Sequence, residues 1–484
     1  MINDNIKNFE PPILWKYFDD ILKVPRPSKK EEHIIEFLKD FGNKHQLETL
    51  QDETGNILLR KGATKGHENK AWVVLQSHMD MVCEKNSDVD FDFEKDAIIP
   101  KIDGEWVKAQ GTTLGADDGI GVAAQLAILA SNDIEHGPIE CLFTVDEETG
   151  LTGAFGLKPG FVKSEILLNL DSEDEGELFI GCAGGIDTLI EMEYETESLS
   201  SNYKYYDLSI TGLNGGHSGD EIQKGLGNAV KLMNRILWEA NDAVLLRIID
   251  FSGGNLRNAI AREAFACVAI PENKCQDFED LFGRLGQDLK AEYSITEKNM
   301  ELSIKSSQNQ GEAMIQEYQN ALLNSLYSCP HGVISWSQSI ANFVETSTNL
   351  ASVRMKDHTA YITTSQRSSV ESAKTDIANM VAANFRNIGA KVSHGDGYPG
   401  WSPNTNSKVL AQTTASYQKL FKKEPKVLAI HAGLECGLIG ETYPKMDMIS
   451  FGPTIKGAHS PDERIKIDTV KMFWDLTLDV LKNI

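Results

Sequence analysis

A small set of residues carries the types that hold divalent cations and move protons. They are His78 and Asp80 in SHMD, the pairs Asp117-Asp118 and Glu147-Glu148, Asp171 in NLDSE, and the late His459 in GAHSP. The whole chain has only 11 histidines, so two among these acids are not background. Imidazole and carboxylate oxygen together suit Zn²⁺, Mn²⁺ or Co²⁺, whereas a Mg²⁺ site relies mainly on oxygen. Two histidines and three acids suffice for two metals if one carboxylate bridges them, with a position left for water. Each residue also has an ordinary reading: His78 as a satisfied strand-end histidine, Glu147-Glu148 as a solvated acidic turn. Their recurrence at strand ends favours a site. Alternation along a strand sends His78 and Asp80 to the same side, where Asp80 can orient the His78 ring.

Rival chemistries are weaker. Gly119, Gly121 and Ala124 fit a G-x-G-x-x-A dinucleotide loop, but Asp117 and Asp118 stand directly before it and would repel a pyrophosphate. Cys436 beside Glu435, and Ser218 beside His217, lack the base and orienting acid that nucleophilic catalysis requires.

The elements that must position these residues alternate between strand and helix. Three short apolar runs, 71–76, 139–145 and 165–170, each lead into an acidic or histidine-containing segment. Between the first two, GIGVAAQLAILA (119–130) suits a buried helix. This is a βαβ pattern, and in open α/β sheets sites gather beyond the carboxyl ends of the strands. From about Gly185 the texture changes to longer strands, such as 203–213, with helices expected at 225–240, 275–293, 312–326 and 370–387. That set reads as an inserted α+β domain. After HGDGYPGW the βα texture returns, with a helix near 407–422 and strands in KVLAIHAG and MDMISFG. The expected organisation is an α/β catalytic domain in two pieces, 1–185 and 398–484, with a mixed sheet flanked by helices and a di-metal site at its strand ends. Residues 186–397 are expected to form a lid and dimerisation domain.

The 484 residues contain 47 Lys plus Arg against 71 Asp plus Glu, a net charge of −24, which argues against nucleic-acid binding because phosphate contacts need a clustered basic surface. The segment 1–21 mixes acids with lysines and lacks the apolar centre of a secretory leader. No stretch approaches the roughly 20 apolar residues of a membrane helix. Seven scattered cysteines without a C-x-x-C pair fit neither a disulfide framework nor a thiolate zinc site, and a reducing cytoplasm is the simplest home.

The strings LQSHMDMVCEK, GTTLGADDGIGVA, TVDEETGLTGA, NLDSEDEGELFIGCAGG, NGGHSGDEI, LRNAIARE, HAGLECG and SFGPTIKGAHSPDERI occur in this order. Together they resemble the aminoacyl-histidine dipeptidase (peptidase D, Xaa-His dipeptidase) branch of the di-zinc M20 metallopeptidases, from about residue 10 onward. The resemblance implies that His78, Asp117, Glu148, Asp171 and His459 bind two metals, zinc first with cobalt or manganese as alternatives. It makes Asp117 the bridge, Glu147 the general base and Asp80 the partner of His78. It implies a cis peptide after Asp117, and substrate contacts from His217, Asn258, Arg367 and Gly433. Asp118 is an acid where close members can have Asn, an addition that bears on metal preference without removing a ligand.

The implied activity is hydrolysis of short peptides, mainly Xaa-His dipeptides including carnosine-like β-alanyl-histidine, by an activated water with Glu147 taking its proton. An aminoacylase or tripeptidase on the same scaffold is the alternative within the class, and a peptide-binding protein without catalysis the alternative outside it. A metal-dependent phosphoesterase is disfavoured by the acidity of the site. The implied assembly is a homodimer through the lid, with His217 entering the partner's active site.

Overall fold

The apolar runs that end in site residues become neighbouring parallel strands. Ile139–Thr144 lies beside Val73–His78, which lies beside Ile166–Asn169, which lies beside Asp447–Ser450. Ile57–Lys61 and Glu48–Gln51 add antiparallel strands on one side, and with Glu177–Cys182 and Lys426–Ile430 they complete an eight-stranded mixed sheet. Every residue of Val73–His78 and of Ile139–Thr144 is buried, as expected for parallel strands covered on both faces. The first strand runs two residues later than the apolar run suggests. Ser77 and His78 continue the ladder opposite Phe143 and Thr144, which makes His78 the last residue of its strand.

Helix Ala116–Ala130 packs on strand Val73–His78 and on helix Pro12–Ile21. Its first turn is not helical: Asp117 (φ −81°, ψ 113°) and Asp118 (φ −103°, ψ 36°) depart from the helix, the peptide between them is cis, and Gly115 is left-handed (φ 70°). Two buried side chains of opposite charge hold this segment. The Glu463 carboxylate accepts the backbone N–H groups of Leu114, Gly115, Ala116 and Asp117 at 2.7, 2.9, 2.7 and 3.3 Å. The Arg26 guanidinium donates to the carbonyls of Met79, Asp80 and Gly115 at 3.1, 2.6 and 2.5 Å. Asp118 Oδ1 then accepts the Gly121 N–H at 3.2 Å, the bond an N-cap makes to the third residue of a helix.

The structure, a computed structural model, describes residues 5–484; the sequence reading of the N-terminus drew also on residues 1–4, which lie outside these. The chain divides into one unit of Met1–Gly181, Pro403–Ala429 and Leu434–Ile484 and a second of Cys182–Ser402 and Ile430–Gly433. The joins differ by a few residues from 185/186 and 397/398. Residues 430–433, assigned from sequence to the catalytic piece, go with the second unit, because the Ala183 N–H bonds to the carbonyls of Ile430 and Ala432.

The second unit is built on a nine-stranded antiparallel sheet. Ile190, Met192, Leu208, Val353 and Ile362 on its strands share one core with Ile236, Leu237, Phe278, Leu322 and Phe385 of helices Ala229–Val244, Cys275–Glu292, Gln316–Ser328 and Glu371–Arg386. Alternate strand residues Leu189, Phe265 and Tyr361 are exposed, so the helices cover one face. The first of these helices starts four residues later than expected. Asn228 caps it by accepting the Lys231 N–H at 3.1 Å, which leaves GLG (225–227) outside. The third likewise starts at Gln316 rather than 312, because Ala313–Met314 pairs as a short strand with Thr196–Glu197. Among the described residues, no helix is long and apolar enough to cross a membrane.

The four N–H groups on Glu463 give a test of how the bend at Asp117 is held. Each buried donor left without an acceptor costs about 1–3 kcal/mol. Glu463→Ala should therefore destabilise the first unit by about 3 kcal/mol or more, lowering its thermal midpoint by roughly 5 °C or more. A midpoint unchanged from the parent in calorimetry would contradict the assignment.

Candidate metal centre

The strand ends bring seven of the eleven residues to which the resemblance gives a metal, catalytic or substrate role into one cluster of the first unit. His78 Nε2 lies 3.1 Å from Asp117 Oδ1 and 3.3 Å from Asp171 Oδ1, and His78 Nδ1 lies 3.3 Å from Asp80 Oδ1. His459 Nε2 lies 3.2 Å from Asp117 Oδ2 and 2.9 Å from Glu148 Oε2. Asp117 therefore turns one oxygen to each histidine. His459 reaches it from the turn after Ile455–Lys456 with a left-handed backbone (φ 63°).

Three overlapping groups have ligand atoms within 4.8 Å of one another: His78 with Asp117 and Asp171, Asp117 with Glu148 and His459, and His78 with Glu147 and Glu148. The donor set is two imidazoles and several carboxylates, which fits a borderline divalent ion. Glu148 Oε1 is buried without a hydrogen-bond partner, an acceptor still to be satisfied. A fourth group, Glu31, Asp80 and Asp146, differs in this respect. Glu31 Oε1 accepts the N–H groups of Lys29 and Asp146, Asp80 accepts from Ser28 Oγ and the N–H groups of Glu147 and Glu148, and Asp146 accepts from the hydroxyls of Thr149 and Thr152. Its acids are already engaged by protein donors, so it serves the fold of the turn.

The electrostatics follow from crowding acids in a dry place. Burial opposes the charged form of His78, but the Asp171, Asp117 and Asp80 carboxylates more than offset it and raise its pKa. Hydrogen bonds that the His459 ring donates to the Asp117 and Glu148 carboxylates raise its pKa in the same direction. Burial raises Asp171 and Glu147, and neighbouring acids add to both shifts: Asp117 and Glu148 at Asp171, and Asp171, Glu435 and Glu148 at Glu147. Divalent cations relieve such repulsion. Asp118 belongs to none of the candidate metal-ligand groups, and burial with the nearby Asp171 and Asp117 charges raises its pKa.

The other four residues belong to the second unit. His217 Nδ1 lies 3.3 and 3.1 Å from the N–H groups of Gly219 and Asp220 and 3.4 Å from Asp220 Oδ2, so the Gly219–Asp220 turn holds the ring through this nitrogen. His217 and Asn258 line a cavity of about 770 Å³ together with Arg262, Phe265 and Arg354. Arg367 Nη1 donates to the Tyr398 hydroxyl at 3.0 Å, and Gly433 packs on the same ring. Arg26 and Glu463 were not singled out from sequence. Glu463 stands inside the quoted string that carries His459, but nothing local distinguishes a buried glutamate from a solvated one.

The sequence profile described as peptidase family M20/M25/M40 matches residues 74–483. Over 479 residues, 99% of each chain, the sequence is 44% identical to the cytosol non-specific dipeptidase of Escherichia coli (strain K12). The crystal structure of aminoacylhistidine dipeptidase from Vibrio alginolyticus superposes with a TM-score of 0.94 at 43% identity, covering 99% of this chain and 98% of that one. Aminopeptidase PepT from Bacillus cereus covers 98% of both chains at 16% identity with a TM-score of 0.57, a likeness of fold alone. Full-length identity of this order, a matching profile and a shared architecture lead to one assignment: the chain belongs to peptidase family M20/M25/M40.

Proposed function

We propose that this metallo-dipeptidase is directed at Xaa-His dipeptides, carnosine-like β-alanyl-histidine included. His78, Asp117, Glu148, Asp171 and His459 hold two divalent ions, zinc first with cobalt or manganese as alternatives. The observation that carries this reading is the Asp117 carboxylate, whose two oxygens face His78 and His459 separately. The similarity to a cytosol non-specific dipeptidase of Escherichia coli and an aminoacylhistidine dipeptidase of Vibrio alginolyticus supports the substrate class, and the former a cytoplasmic location.

When bound, the ions polarise the scissile carbonyl and bring the pKa of a water from about 15.7 toward about 7. Glu147 takes the proton of the attacking water and passes it to the leaving amine, a task suited to a buried carboxylate whose proton affinity is raised. Asp80 holds the His78 ring through Nδ1. His217 donates to the developing oxyanion. Arg367 binds the substrate's free carboxylate with its fork of N–H groups, so a free C-terminus is part of what is recognised, and Asn258 and Gly433 complete the contacts. The enzyme works as a homodimer through the second unit, with His217 serving the partner's centre.

Glu147→Gln should lower kcat by about 10²-fold or more while both metals remain bound, because the base is lost and every ligand kept. Kinetics beside metal analysis decides this, and an active or metal-depleted variant contradicts the role. His459→Ala should lose at least one metal together with activity; retention of both ions would move that ligand elsewhere. Turnover of Xaa-His dipeptides should exceed that of N-acyl amino acids and tripeptides in a side-by-side screen, and the reverse order would favour the aminoacylase or tripeptidase alternative. Inactive His217→Ala and Glu147→Ala dimers, once allowed to exchange subunits, should regain activity. Verified mixed dimers that stay inactive would place His217 in its own subunit's reaction or outside it.

A further inference from the structure

Two residues behind the candidate ligands, a line of polar side chains crosses the buried sheet of the first unit. Gln76, Thr144, Asn169, Ser450 and Glu435 are each 0% exposed. Glu435 Oε2 accepts from Gln76 Nε2 at 2.6 Å and from Thr144 Oγ1 at 2.7 Å. Gln76 Oε1 accepts from Asn169 Nδ2 at 2.6 Å, and Asn169 Oδ1 accepts from Ser450 Oγ at 2.5 Å and from the Asp171 N–H at 3.4 Å. Gln76, Asn169 and Ser450 are direct register partners on three adjacent parallel strands. Thr144 pairs with His78 and ends the strand that leads to Glu147 and Glu148.

These strands could fill the same space with aliphatic side chains, and a buried carboxylate is a costly replacement for one. Its return is geometric. Gln76 precedes His78 by two residues and Asn169 precedes Asp171 by two, so each polar side chain shares a sheet face with a candidate ligand. Apolar packing fixes which face is buried but tolerates small lateral slips. Hydrogen bonds of 2.5–2.7 Å do not.

We propose that Glu435 is a positioning residue for the metal centre: by accepting from Gln76 and Thr144 at once, it ties the strands of His78, Asp171 and Glu147-Glu148 into one fixed spacing. The inference rests on the metal assignment made above, and adds to it a residue that stands outside the candidate ligand groups. In the sequence Glu435 stands out only as a neighbour of Cys436. Here it anchors the start of helix Glu435–Thr442 and faces the strands.

The test uses full-length protein stripped of metal and titrated with Co²⁺, followed by visible absorption, with thermal unfolding of the metal-free forms alongside. Glu435→Ala should weaken Co²⁺ binding tenfold or more and alter the absorption band. Glu435→Gln keeps an oxygen acceptor for both donors and should stay within about threefold of the parent. Thr144→Val removes one donor at constant size, should shift affinity in the same direction as Glu435→Ala, and decides the matter if the alanine form does not fold. Unchanged affinity and spectrum in the alanine and valine forms, even with lower melting temperatures, would reduce Glu435 to a stabilising role and overturn the proposal. So would a glutamine form as impaired as the alanine form, since charge and not spacing would then be what matters. A parent protein that binds no Co²⁺ would overturn the metal assignment itself, a result distinct from the other two.

Discussion

One carboxylate placed between two histidines is the constraint on which the catalytic unit depends. Asp117 offers Oδ1 to His78 and Oδ2 to His459, residues separated by most of the chain. For that carboxylate to face both, the backbone from Gly115 to Asp118 must leave the helical path just where the helix begins. The bend has no regular ladder to satisfy its peptide groups, so Glu463 collects four N–H groups while Arg26 collects the Gly115 carbonyl and those of Met79 and Asp80. Arg26 leaves no room beside it: a Cβ at Gly115 or at Gly119 would lie 2.6 Å from its Nη2. Glu463 and Arg26 also attract each other, which offsets part of the cost of burying both.

The same segment ties the two histidines to the sheet and to the C-terminal part of the chain. Arg26 fixes the peptide groups at Met79 and Asp80, directly after His78. Glu463 lies four residues after His459. A shift of either would therefore move a histidine and the bridge candidate together. Around them the acids separate by surroundings. Asp80 has protein donors on both oxygens and a lowered pKa despite its burial, which suits a permanent anion behind His78. Glu147 lacks that support and its pKa is raised, which suits a group that must take up a proton and release it.

Much of this was legible in the sequence. The βαβ strands appear because parallel strands buried on both faces are apolar runs, and the site appears because acids and histidines follow those runs. Strand limits moved by two residues and helix starts by four, since Asn228 as a cap and Ala313–Met314 as a short strand are decided by partners far along the chain. The roles of the individual acids came from the resemblance to a known family, not from spacing. Arg26, Glu463 and Glu435 were not legible as site-supporting residues. Charged residues are ordinarily solvated, and only tertiary structure reveals that these three are buried against backbone or side-chain partners. Gln76 and Asn169 give a weak signal, each the first polar residue after an apolar run, but both stand next to motif residues with a stronger one.

Asp118 shows how far environment separates neighbours of identical type. Asp117 is held anionic by two imidazoles that more than offset its burial, whereas Asp118, one residue on, is raised by burial and by the negative charge of Asp171. Its Oδ1 accepts the Gly121 N–H, and it belongs to none of the candidate metal-ligand groups. That bond needs an acceptor oxygen and no charge, so an amide side chain can make it equally well. The acid that the family resemblance marks as an addition to the site is thus engaged by the helix that follows it. Two consecutive aspartates divide the work, the first facing the histidines and the second starting the helix that carries the first.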